Sequence, residues 1–195
     1  LELLRCGLYD DFYKTIRTTL VPFLKPEVYG RSILENSSFI ASSANPDPNV
    51  HGTGFVARLS GSTAEFIHIL LMLAAGPHPF KIGAKGTLEL ALEPALAATM
   101  FTTKAERVSF WAGKRKDAVL LPANTFSFCF LGTTLVTYHN PLRKNTFGHR
   151  RVLPVAWRIT DAKGNVSTVK GPALRGALAH AVRNRQVRRI DVELG

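Results

Sequence analysis

The chain has 195 residues, of which 46% are hydrophobic and 20% charged, and a formal net charge of +11. That length holds one domain, or one domain and part of another, and the composition excludes a disordered or fibrous protein. The longest apolar run, Phe66 to Ala75 with His68 inside it, is shorter than the roughly 18 residues a membrane-crossing helix needs, so a membrane partner is not expected. Charge is divided unevenly: residues 1–100 carry eight Lys/Arg against nine Asp/Glu, and residues 101–195 carry seventeen against five. Such a basic half is either a solvated face or a surface for nucleic acid or another polyanion. Cys6 and Cys129 have no CxxC or Cys/His spacing and sit among apolar neighbours, which predicts buried free thiols and a reducing, cytoplasmic compartment. Leu1-Glu-Leu-Leu4 reads as the interior of an apolar segment, so the chain is expected to begin in mid-structure, and no leader peptide is visible.

In chain order, Phe12, Ile16 and Leu20 recur on one face and predict a helix over Tyr9–Leu20, stopped by Pro22. From Lys25 to Ala57 the chain is rich in Pro, Gly, Ser and Asn, which predicts one long irregular segment of the kind that often carries function. Ser62 followed by Glu65 has the form of a capping box, opening an apolar helix that Gly76-Pro77 closes near Ala75. Because this helix is apolar nearly all round, it is expected to be buried between other helices.

Beyond Gly86 the period changes to two. Leu88, Leu90 and Leu92 alternate with Glu89 and Glu93, and further strands are predicted at Arg107–Ala112, Thr125–Phe130, Thr134–Tyr138, Val155–Thr160 and Val166–Val169. A late helix is expected over Pro172–Gln186 and a last strand over Arg189–Leu194. Helices followed by a run of short strands indicate an α+β chain with a C-terminal β-sandwich, jelly-roll-like, and a boundary near residue 80.

The segment best suited to a ligand is Ala57-Arg-Leu-Ser-Gly-Ser-Thr-Ala-Glu65. A small-residue turn entering a helix leaves backbone N–H groups pointing outward at the positive end of the helix dipole, where an anion binds. Gly61 admits close approach, Ser60, Ser62 and Thr63 add hydroxyls, and Arg58 adds a full charge. The same pattern also describes an ordinary capped helix, and it lacks the GxxxxGK[ST] spacing of a nucleotide-binding loop. His51 and His139 have no partners at metal-ligand spacing, so no zinc site is expected.

Four stretches, Tyr29-Gly-Arg-Ser-Ile-Leu-Glu-Asn-Ser-Ser-Phe-Ile40, Pro46-Asp-Pro48, His51-Gly-Thr-Gly-Phe-Val-Ala-Arg-Leu-Ser-Gly-Ser-Thr-Ala-Glu-Phe66 and Tyr138-His-Asn-Pro141, give the chain a resemblance. It resembles the inverting glycoside phosphorylases of glycoside hydrolase family 94, which include cellobiose phosphorylase and the β-1,2-oligoglucan phosphorylases, and is most similar to the oligoglucan branch. The resemblance implies the last helices of an (α/α) barrel over residues 1–80, followed by a β-domain with one late helix over 81–195. It implies phosphate-binding residues at Ser60 and Gly61, with a further contact at Ser38 or its neighbour Ser37, where the cellobiose branch has Gln. Glu35, followed by Asn36, suits contact with sugar hydroxyls or a surface cap. Inorganic phosphate would be co-substrate, with no other cofactor, and a β-linked gluco-oligosaccharide the substrate. The family's general acid is an Asp well upstream of the phosphate turn. Asp10, Asp11 and Asp47 lack that context, so no catalytic residue is expected in this chain. A truncated barrel would leave apolar faces for the missing barrel portion or another copy to cover. The competing reading is a non-catalytic β-rich module whose Lys114-Arg-Lys116, Arg143-Lys144, Arg150-Arg151 and Arg183–Arg189 bind nucleic acid or another polyanion. Trp111 and Trp157 look buried and too few for a base-stacking platform.

Overall fold

A computed structural model describes residues 1–19, 25–30, 37–57, 61–83 and 86–195. The chain is a mixed α+β protein in which strands predominate, and it divides into two compact units, Leu1–Met72 and Leu73–Gly195. The expected boundary was 80/81.

In the first unit, α1 (Glu2–Arg5) and α2 (Tyr9–Thr19) pack together. Phe12 and Ile16 of α2 are buried as the spacing predicts, and Asp10 and Asp11 occupy its first turn, where the helix dipole favours negative charge. Leu20 and Pro22 lie outside the described residues. The segment expected to be irregular holds more order than predicted. It contains α3 (Pro26–Tyr29), begun by Pro26 and ended by Gly30 at φ 72°. It also contains an antiparallel pair, β1 (Ser37–Ile40) and β2 (Gly54–Ala57). Each strand is four residues long, too short for its alternation to stand out from the surrounding Pro, Gly and Ser.

α4 (Gly61–Ala75) starts at Gly61, so Ser62, expected as the cap of the helix, is its second residue. Its apolar surface is only partly covered: Ile69 and Met72 are buried, but Ile67, Leu70 and Leu71 are about half exposed, contrary to the expected burial all round. The far end of this helix belongs to the second unit and is held there. Leu73 and Ala75 carbonyls accept from the backbone N–H groups of Ala95 (2.8 Å) and Glu93 (3.1 Å). The Ala74 carbonyl accepts from the Tyr138 hydroxyl at 2.6 Å. Three carbonyls that a helix end leaves unpaired are thus satisfied from outside the helix. Gly76 at φ 85° turns the chain away so closely against Glu93 that a Cβ would lie 2.9 Å from its backbone oxygen.

The second unit is built on a five-stranded sheet of β7 (Thr125–Phe130), β8 (Thr134–His139), β9 (Pro154–Asp161), β10 (Val166–Lys170) and β12 (Val187–Leu194), in the order β10-β9-β12-β8-β7. All pairings are antiparallel except β12 with β8. The register aligns apolar residues across one face: Phe128, Val136, Ile190 and Ile159 in one row, and Phe126, Tyr138, Val192 and Trp157 in the next. Trp157, Tyr138, Val136, Ile190 and Val192 are almost wholly buried. A three-stranded sheet of β3 (Phe80–Ile82), β4 (Leu88–Leu90) and β11 (Leu174–Arg175) contributes buried Leu88, Leu90 and Leu174, and Phe80 stacks on Phe130 with centroids 5.9 Å apart. Two such sheets with apolar contact are compatible with a sandwich.

One predicted element and the burial of the thiols are corrected, and one strand was not predicted. The late helix is only α5 (Ala177–Arg183), because Leu174–Arg175 pairs with β4 as β11 and Gly176, at φ 56°, breaks the run. A strand β6 (Arg115–Leu121) pairs with β5 (Glu106–Ala112) in a hairpin, where the run Arg-Lys-Asp disguised the alternation. The thiols are free but exposed. Strand periodicity puts Cys129 on the face opposite Phe128 and Phe130, with its Sγ 3.5 Å from the Trp111 carbonyl.

Replacing Tyr138 by Phe removes the bond to Ala74 and leaves a buried carbonyl one donor short. It is expected to cost about 1–2 kcal/mol, read as a lowered urea midpoint of the full chain.

Candidate functional site

The register of the first hairpin organises the candidate site. Ser37 pairs with Ala57, Phe39 with Phe55 and Ile40 with Gly54, so Ser37 and Ser38 lie at the end of the hairpin from which the chain passes through residues 58–60 into α4 at Gly61. Glu35, Arg58 and Ser60 lie outside the described residues, as do the side chains of Ser38, Ser62 and Thr63. Two of the named positions, Ser38 on β1 and Gly61 at the first residue of α4, are therefore located by backbone alone.

A packed cluster fixes that end. Tyr29, fully buried, donates its hydroxyl to Ser37 Oγ at 2.7 Å. Gly54 lies against both, and a Cβ there would overlap the Tyr29 ring and approach Ser37 Oγ to 2.5 Å. Of the two candidate serines, Ser37 thus has its hydroxyl engaged by Tyr29. Val56, between the paired residues and level with Ser38, has φ 57°. For a β-branched residue this left-handed conformation costs on the order of 1–3 kcal/mol and persists only where its surroundings impose it.

The loop joining the strands is closed by its own polar residues. Asp47 accepts from the backbone N–H of Asn49 (2.9 Å) and from Asn49 Nδ2 (3.0 Å), and Asn45 Oδ1 accepts from the Asp47 N–H (2.9 Å). His51 Nε2 lies 2.8 Å from the Asn45 carbonyl. Asp47 and His51 are thus occupied in shaping the loop.

In the second unit the stretch Tyr138-His-Asn-Pro141 takes three structural roles. Tyr138 caps α4. Asn140, fully buried, donates Nδ2 to the Lys144 carbonyl at 2.7 Å. His139 Nε2 sits 2.9 Å from Asp191 Oδ1, the atom that also accepts from Arg189 Nη2 at 2.7 Å. Burial alone pushes the Asp191 carboxyl up, but the hydrogen bonds from His139 and Arg189, with their charge, outweigh it and hold the group below the ordinary carboxylate range. Sequence reasoning missed Asp191, whose signal, an acid two residues after Arg188-Arg189 in a short strand, was slight.

Among the described residues, no group of three or more His, Cys, Asp or Glu is placed to hold a metal ion, and no helix is long and apolar enough to cross a membrane. Trp157 is buried, but Trp111, on the β5–β6 hairpin, is 61% exposed. No protein-family model matches the chain, and no curated protein matches it in sequence.

Two expectations follow. Gly54→Ala should destabilise the first hairpin by about 1–3 kcal/mol, seen as faster amide exchange over residues 37–57. Asp191→Asn should lower stability by about 1–3 kcal/mol at pH 7. Because the folded carboxyl titrates below its unfolded value of 3.8, this difference should be full above that pH and vanish as pH falls through the folded pKa. Unfolding midpoints of both chains at pH 7 and pH 2.5 check it.

Proposed function

We propose that the chain is the C-terminal part of an inverting phosphorylase that cleaves β-glucosidic bonds of gluco-oligosaccharides with inorganic phosphate, releasing a sugar 1-phosphate. Its contribution is the phosphate-side wall of the active site at Ser60, Gly61 and Ser38, with Glu35 toward the sugar. The observation that carries this reading is the convergence at one end of the first hairpin. Two serines of β1 stand beside the end of β2, and the chain there enters the N-terminus of a fifteen-residue helix. Free N–H groups and a positive dipole end suit an oxyanion. The family resemblance of Tyr29–Ile40 and His51–Phe66 covers the same residues.

In this reaction a phosphate oxygen attacks the anomeric carbon from the face opposite the leaving sugar. The glycosidic C–O bond breaks, and the leaving oxygen takes a proton from a carboxylic acid. Phosphate replaces the base-activated water of an inverting hydrolase, so one carboxyl suffices. Asp10, Asp11 and Asp47 are occupied at a helix start and in a turn, and the acid belongs to the upstream barrel. The half-exposed Ile67, Leu70 and Leu71, with Phe39 and Phe55 exposed as a cross-strand pair, agree with a barrel wall whose other helices lie elsewhere.

One observation favours the alternative, a polyanion-binding module: Trp111 is exposed and pairs across the hairpin with Lys116. Against it, Arg143, Arg188 and Arg189 of the basic half are engaged within the protein, by Thr102 and Asn124, Asp117, and Asp191 respectively.

Titration with inorganic phosphate is expected to shift the Gly61 backbone amide resonance saturably, and Ser60→Ala to weaken that binding roughly tenfold. The chain alone should not phosphorolyse gluco-oligosaccharides. An unmoved Gly61 amide overturns the reading, and steeply salt-dependent binding of single-stranded DNA supports the alternative.

A further inference from the structure

The polar face of the five-stranded sheet holds a second arrangement, built from none of the residues assigned above to the phosphate wall. The pairing of β9 with β12 sets Arg158 opposite Asp191 and Thr160 opposite Arg189. The β5–β6 hairpin lies over this part of the sheet, tied by the Gly113 N–H to the Gly132 carbonyl at 2.9 Å and by an ion pair between Arg188 and Asp117. Between hairpin and sheet lies a partly open cleft of about 270 Å³, bounded by Phe110, Leu135, Asp117, Arg158, Arg189 and Asp191.

The charges in this cleft do not balance. Three guanidinium groups, those of Arg158, Arg188 and Arg189, face two carboxylates. Arg188 is matched by Asp117 and Arg189 by Asp191. The Arg158 guanidinium, on a strand whose backbone is paired on both sides, makes no hydrogen bond or ion pair with any described residue. The Nε–H of Arg189, whose Nη2 holds Asp191, is buried without a partner. A buried donor without an acceptor is unfavourable until something fills the position. The apolar walls of Phe110 and Leu135 lower the local dielectric and strengthen any charge interaction made there.

We propose that this cleft is a binding site for a small oxyanion, a phosphate- or carboxylate-bearing molecule no larger than a sugar phosphate, with the Arg158 guanidinium and the Arg189 Nε–H as its donors. One negative charge completes the balance and satisfies the orphaned donor together. The volume lies just below the roughly 300–1,000 Å³ of pockets for drug-sized ligands, which sets the size limit. A planar guanidinium bonds either oxyanion in bidentate fashion.

The inference does not rest on the phosphorylase reading, and the test keeps the two apart. Full-length chain carrying Ser60→Ala, with and without Arg158→Gln, is titrated with inorganic phosphate, glucose 1-phosphate, glucuronate and glucose. Saturable binding of at least one anion is expected, weakened roughly tenfold to a hundredfold by Arg158→Gln, with glucose binding far more weakly. Equal binding of phosphate and glucose 1-phosphate identifies the oxyanion alone as the ligand. Preference for glucose 1-phosphate or glucuronate adds the sugar. Arg158 is exposed and unpartnered, so its replacement should leave the unliganded melting temperature unchanged. Independently, the Arg189 Nε–H resonance of the unaltered chain should shift on titration. Unchanged affinity in Arg158→Gln, glucose bound as well as the anions, no anion bound, or a stationary Arg189 signal each overturns the proposal.

Discussion

The architecture depends on how one helix ends. An apolar helix of fifteen residues must leave its last carbonyls without partners, and in α4 those of Leu73, Ala74 and Ala75 are taken by Ala95, Tyr138 and Glu93. The three donors come from the extended segment after β4 and from the interior strand β8, so the helix end is satisfied only where the sheet is in place. Gly76 is required at the same point, since the backbone of Glu93 leaves no room for a side chain. Tyr138 pays for its burial with that one hydrogen bond, and burial raises its hydroxyl pKa well above the usual value, keeping it a neutral donor.

The first hairpin works by a comparable logic on a smaller scale. Its strands are too short to be stable on pairing alone, and what fixes their register is a side-chain cluster at one end and a self-bonded turn at the other. Tyr29 reaches across to Ser37 over the bare backbone of Gly54, while Asp47, Asn45, Asn49 and His51 hold the connecting loop. The strained Val56 lies between these fixed points. Strain of this kind persists only where the surrounding structure imposes it, and here the fixed points on either side do so.

Where periodicity was long and the environment uniform, the sequence was legible. β7, β8, β9, β10 and β12 were all foreseen within a few residues, because each is a run rich in β-branched, aromatic or other apolar residues. What stayed hidden was set by partners distant in sequence. The parallel alignment of β12 with β8, the conversion of Leu174–Arg175 into a strand by β4, and the strand character of the charged β6 all come from pairing. At the candidate site the approximate start of α4 could be read directly. The pairing of β1 with β2 could not, since no local pattern announces a register. Cys129 and Trp111 were misjudged for a shared reason: apolar neighbours along a strand occupy alternate faces, so adjacency in sequence says little about burial. Cys6 is exposed at the C-terminal end of the four-residue α1.

The parallel pair also bears on the order in which the sheet can form. β12 lies between β9 and β8, yet both flanking strands are synthesised before it. Until Val187–Leu194 has emerged, β8 and β9 each present an open edge of unpaired N–H and C=O groups, with Val136, Tyr138 and Trp157 uncovered beside them. The most buried face of the unit is thus completed by its latest strand, through contacts such as Ile190 with Val136 that close a long loop. Such topologies fold slowly and leave strand edges open to pairing with other chains meanwhile. For this protein the interval between making β9 and making β12 is when aggregation competes most directly with folding.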